Sequence, residues 1–97
     1  MASTYCIKTF LRHDDGDENI TYTPCDTSKK FMRNAEFAVR LAESIANNDS
    51  SLIECLKVTD GYAVVVYEDG KPFKLFEHDG IRINTYHDHE IAEQLWN

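Results

Sequence analysis

Hydrophobic and polar positions change their period several times along the chain. Residues Thr4 to Arg12 (TYCIKTFLR) are rich in β-branched and aromatic side chains, and Asn19 to Thr23 (NITYT) repeats that character after the polar loop His13 to Glu18 (HDDGDE). Two such runs around a turn-forming loop predict a β-hairpin. Tyr5, Ile7 and Thr9 share one face of the first run, and Cys6, Lys8 and Phe10 the other. Both faces are mixed, so alternation leaves open which one meets the core. Pro24 closes the second run, since proline offers a ladder no donor.

From Lys29 the spacing becomes helical. Phe31, Ala35, Ala38, Ala42 and Ile45 fall on one stripe, Phe37 and Leu41 widen it, and Arg33, Glu36, Arg40 and Glu43 lie opposite. Asp26, Thr27 and Ser28 offer capping oxygens, and Asn47-Asn48-Asp49-Ser50 is a stop. The pattern predicts a helix of about 18 residues with one apolar face to lay on a sheet.

Three β-rich runs follow, Leu52 to Thr59, Tyr62 to Glu68 and Pro72 to Glu77, separated by Asp60-Gly61 and Asp69-Gly70. Asp-Gly between such runs is a hairpin signal, because glycine tolerates the positive φ of tight turns. A meander is expected, with Ala63-Val64-Val65-Val66 in a central strand. Asp79-Gly80 then introduces one more short strand at Ile81 to Tyr86, and Asp88 caps a last helical turn or two carrying Ile91, Leu95 and Trp96. The order ββ-α-βββ predicts an α+β fold: an antiparallel sheet of about five strands, one long helix on one face, and a short C-terminal helix. It lacks the glycine-rich βαβ alternation of nucleotide-binding folds.

Composition narrows the class. With 97 residues, 42% hydrophobic and 28% charged, and no Pro-rich or Gly/Ser-rich linker, residues 1–97 read as a single acidic domain. The start Met1-Ala2-Ser3-Thr4 lacks the basic and then apolar run of a signal peptide, and no apolar stretch approaches bilayer length, so a soluble cytoplasmic protein is expected. Cys6, Cys25 and Cys55 are widely spaced with no CxxC, which points to reduced thiols and not to a disulfide framework or thiolate zinc site.

Candidate chemistry is sparse. His87-Asp88-His89-Glu90 is the most site-like string, yet two imidazoles need a third ligand, and a solvated, helix-capping acidic segment is the favoured reading of these residues. The acidic residues fall in turns and at strand ends, where solvation opposes the raised pKa of an acid catalyst. No phosphate loop or nucleophile elbow is present. The expectation is a protein that is not an enzyme and needs no metal or other cofactor.

Charge is more informative. The formal net charge is -7, and from Asn47 onward ten carboxylates face four cations. Such an excess repels nucleic acid and anionic membranes and draws the domain toward a basic partner. Asp14, Asp15, Asp17 and Glu18 crowd the first hairpin loop. Together with the Glu68-Asp69 turn, or with Glu77 and Asp79, they are expected to form an acidic edge. Residues two apart on a strand lie about 6.6 Å from each other, a spacing on the scale of successive phosphates, so a carboxylate-edged sheet can imitate a duplex. Ordinary solvated turns would give the same sequence.

The strand YCIKTF at Tyr5 to Phe10, the helix FMRNAEFAVRLAESI at Phe31 to Ile45 and the hairpin KVTDGYAVVVYEDGKPFKLFE at Lys57 to Glu77 resemble small phage and prophage anti-CRISPR proteins that block type I-F complexes. In size and acidity the chain is most similar to the DNA-mimic members of that group. The resemblance spans residues 4 to 77 as an arrangement of elements, without an invariant motif. It implies a stoichiometric inhibitor of the type I-F Cascade (Csy) surveillance complex in the host bacterial cytoplasm. Such an inhibitor would occupy the basic channel where the large subunit and its Cas5-type partner receive the PAM-bearing duplex. Lys29, Lys30 and Arg33 form a small basic patch that should then face away from the contact. The alternative is a small phage assembly or regulatory protein that binds through an apolar sheet face.

Overall fold

The computed structural model describes residues 3–16, 19–25 and 32–96. Five strands form one antiparallel sheet: β1 (Tyr5–Asp14), β2 (Ile20–Pro24), β3 (Gly61–Glu68), β4 (Lys71–His78) and β5 (Ile83–His87), in the spatial order β2-β1-β3-β4-β5. Helices α1 (Ala35–Asn48) and α2 (Ser50–Cys55) connect β1/β2 to the meander β3-β4-β5. Two 3-10 turns, Asp88–Glu90 and Glu93–Leu95, stand where a short C-terminal helix was expected. The fold class is therefore the one the residue pattern predicts. Among the described residues, no helix is long and apolar enough to cross a membrane.

β3 is the centre of the sheet, and its near-continuous apolar run is buried on both sides. Tyr62, Val64 and Val66 face α1 with Tyr5, Ile7 and Phe76, while Ala63, Val65 and Tyr67 face the opposite way with Phe10 and Leu75. α1 covers the first layer through Ala38, Ala42 and Ala46, whose small side chains let helix and sheet approach closely. The Tyr62 hydroxyl donates to the Ala46 carbonyl, tying the helix to the central strand. The second layer is covered by the C-terminal segment. Ile91 and Leu95 are buried on it, and the Tyr67 hydroxyl donates to the Leu95 carbonyl at 2.8 Å. Burial pushes that phenol up to about 12.

Two expected elements change. α1 has 14 residues and begins at Ala35, capped by the Asn34 side chain, which accepts from the Phe37 N–H at 3.0 Å. Met32, expected inside the helix, instead exchanges two backbone hydrogen bonds with Tyr5. The capping residues Asp26 to Ser28, and Phe31, lie outside the described residues. With the start moved, the buried face is centred on Ala38, Ala42 and Ala46, and Phe37 is 57% exposed.

The second change concerns Leu52 to Thr59, expected as a strand and found as α2 followed by turns. Asp49 decides this, because its carboxylate accepts from the Ser51 and Leu52 N–H groups and starts a new helix. Leu52, Cys55 and Leu56 stand at i, i+3 and i+4, a helical spacing that the β-branched content of the run masks. Asp60-Gly61 is consequently the joint between α2 and β3, not a hairpin turn. The third strand of the meander is β5, from the run expected as an additional strand.

Candidate binding site at the acidic end of the sheet

Antiparallel pairing brings the β1–β2 loop, the start of β3 and the β4–β5 turn to one end of the sheet. Asp14, Asp60 and Asp79 line a shared open cleft there of about 450 Å³, with Gly16, Gly80 and Ile81 beside them. The three carboxylates are preset by hydrogen bonds within this end of the sheet. Asp14 accepts from the Gly16 N–H at 3.0 Å, and Asp60 accepts from the Asp14 N–H at 2.8 Å. Asp79 accepts from the Ile81 and Arg82 N–H groups at 2.9 and 3.0 Å and from the Asn84 amide at 3.0 Å. Those backbone bonds, Arg82 first and Ile81 next, then the Asn84 amide, hold the Asp79 carboxyl down at about 2.

Gly61 makes the close packing of this end possible. Its φ is +146°, and a Cβ there would lie 1.9 Å from the His78 carbonyl oxygen. Only glycine permits that approach of β3 to β4.

Beneath the cleft runs a buried polar chain. Arg12 is 8% exposed and Glu77 6% exposed, on the same face of the sheet as Tyr22. The Arg12 guanidinium donates from Nη1 to the Asp60 carbonyl at 3.1 Å, and its Nη2 lies 3.8 Å from Asp14 Oδ2. Its Nε lies 3.4 Å from Glu77 Oε1 without making a hydrogen bond. The Tyr22 hydroxyl donates to the other Glu77 oxygen. Burial, and then that bond, raise the Tyr22 phenol far above its ordinary value. Arg12 thus holds the first loop and the α2–β3 joint against Glu77 of β4, and its charge is balanced from below.

The sequence-derived site residues divide accordingly. Asp14 and Asp79 meet in the cleft, and Asp15 is exposed beside them. Asp17 and Glu18 lie outside the described residues. Glu77, expected at the exposed acidic edge, is buried against Arg12 and Tyr22, since its side chain falls on the inner alternation of β4 with Leu75. Glu68 and Asp69 sit at the opposite end of β3, about 23 Å away at the usual rise per residue. There Glu68 accepts from the Tyr5 hydroxyl at 2.6 Å and Asp69 from the Thr4 N–H at 2.9 Å. The acidic end is therefore assembled from loops, not from a ladder of carboxylates along one strand. Arg33 is exposed, and Lys29 and Lys30 lie outside the described residues.

Asp60 and Arg12 are the site residues that sequence reasoning missed. Asp60 stood in the sequence as half of an expected Asp60-Gly61 hairpin turn, and the signal for Arg12 was an arginine on the Phe10 face of β1 and a glutamate, Glu77, on the Leu75 face of β4, a pair that only the register reveals. Among the described residues, no group of three or more His, Cys, Asp or Glu is placed to hold a metal ion. His87 and Asp88 instead close the first 3-10 turn, where the His87 N–H donates to Glu90 at 3.2 Å. Comparison of the chain with protein-family models, curated proteins and solved structures finds no match.

Proposed function

We propose that this domain is a stoichiometric inhibitor that engages a basic, DNA-binding protein surface through the acidic end of its sheet and keeps target DNA from that surface. The observation that carries the reading is the convergence of Asp14, Asp60 and Asp79 from three separate loops, with the nearest buried cation, Arg12, already paired to Glu77. Carboxylates already held by backbone N–H groups lose little freedom on binding, and their summed field attracts a surface lined with Lys and Arg over long range. The partner that the sequence resemblance implies is the type I-F surveillance complex of the host cytoplasm. Occupancy alone accounts for inhibition, with no catalytic step and no cofactor. The contact set is Asp14, Asp15, Asp60 and Asp79, with Asp17 and Glu18 carried over from the sequence. An assembly role through a bare apolar sheet face has little to use, because α1 covers one face and the C-terminal segment the other.

The test is competition for purified type I-F complex against PAM-bearing duplex, with salt varied. The reversal D14K/D15K/D60K should weaken binding by on the order of 2 kcal/mol, single reversals by about 0.5 kcal/mol, and added salt should weaken the wild type. The reversal E68K/D69K at the opposite end should change little. Simultaneous binding of protein and duplex, or equal effects of the two reversals, would sink the reading.

A further inference from the structure

The two edges of the sheet differ in how their outward backbone groups are treated. β2 lacks a donor at Pro24, and its Ile20 carbonyl accepts from the Gln94 amide of the C-terminal segment. β5 (Ile83-Asn84-Thr85-Tyr86-His87) contains no proline, lysine, aspartate or glutamate, the residues that usually guard a free edge. The Asp79 N–H donates to the Arg82 carbonyl at 3.2 Å, so these two residues are a hydrogen-bonded pair of the hairpin. Alternation along the register then makes His78 with Ile83, and Phe76 with Thr85, pairs without hydrogen bonds, and the N–H and C=O groups of Ile83 and Thr85 point away from β4. The His87 N–H, next in that series, donates to the Glu90 carboxylate at 3.2 Å. The outward groups of Ile83 and Thr85 have no partner among the described residues.

We infer that β5 is a self-association edge: a second copy of this chain pairs its β5 with this one, antiparallel about Asn84, and the two sheets become continuous. A two-fold axis at Asn84 sets Ile83 of each copy opposite Thr85 of the other. In that register all the free N–H and C=O groups of Ile83 and Thr85 pair between the copies, and none is left over. The same register sets the exposed Arg82 opposite Tyr86 of the second copy. Both lie on the face that Tyr86 shares with Leu75, where a guanidinium against a phenol ring adds a cation–π contact. A two-fold axis supplies both matches at once, which a second copy does and an unrelated extended peptide does not. With no carboxylate on β5, this is also the edge that a copy of net charge -7 can approach. The inference is independent of the acidic end and of the inhibitor reading.

The test is sedimentation equilibrium of the full chain at rising protein and salt concentration. A reversible dimer is expected that tightens as salt rises, because both copies carry a net charge of -7. That trend is the reverse of the one expected for binding through the acidic end, so the two readings fail separately. In a mixture of isotope-labelled and unlabelled chain, a filtered nuclear Overhauser effect between the Asn84 α-protons of the two copies should mark the register. T85P removes an N–H that does not serve β4. It should keep the circular dichroism spectrum and weaken the dimer about tenfold, since the two-fold axis deletes the lost bond twice. A monomer at every salt concentration would overturn the inference and leave the edge to a strand from another protein. A dimer without the Asn84 contact, or one unmoved by a folded T85P, would overturn it as well. If T85P does not fold, the Asn84 contact in the wild type decides.

Discussion

At one end of the sheet Asp14, Asp60 and Asp79 arrive from three loops, over a buried Arg12–Glu77 pair, with Gly61 pressing β3 against β4. At the other end Glu68 and Asp69 belong to a single two-residue hairpin, in which Asp69 and Gly70 both have positive φ. Their carboxylates serve the Tyr5 hydroxyl and the Thr4 N–H. The two ends use similar turn residues and acquire different electrostatic character. What separates them is how many independent segments the register delivers to each. A run of acidic residues in sequence therefore does not define an acidic surface; one pair of adjacent carboxylates can be absorbed locally, while three from different loops reinforce one another.

The contrast can be broken most severely at Gly61. G61A places a Cβ on the His78 carbonyl at a φ that L-residues rarely adopt, and should destabilise the fold by about 4 kcal/mol in urea unfolding. At Gly16, where a Cβ meets nothing within 4 Å, alanine should cost only about 1 kcal/mol, from the positive φ alone. Similar losses in the two variants would show that the close strand approach is not what organises this end.

Next in size is E77Q, which leaves the buried Arg12 guanidinium with only the more distant, exposed Asp14 as a counter-charge. A loss of about 3 kcal/mol is expected, together with greater hydrogen exchange at Asp14 and Asp60. Unchanged stability would mean that Asp14 alone balances Arg12. The smallest effect concerns Asp79. Its folded-state carboxyl is depressed from 3.8 to about 2, so its stabilising bonds are present above pH 3.8 and lost as pH falls toward 2. The Tm difference between wild type and D79N should thus shrink over that window. A difference that stayed constant down to pH 2 would remove Asp79 from the acid response.

The sequence alone determined the α+β class, the central strand, the first hairpin and the Asp-Gly turns at Asp69-Gly70 and Asp79-Gly80, because these depend on local period and on φ preferences that each segment carries by itself. It also located most of the carboxylates of the acidic end. It misread Leu52 to Thr59, where β-branched side chains and helical spacing compete and the Asp49 cap tips the balance. Which carboxylates are exposed was beyond it. Glu77 and Asp79 are two residues apart and equally acidic in sequence, yet one is buried against Arg12 and Tyr22 and the other caps a turn at the cleft. That division depends on strand register and on the C-terminal segment crossing the second face, both of them long-range pairings that no local pattern encodes.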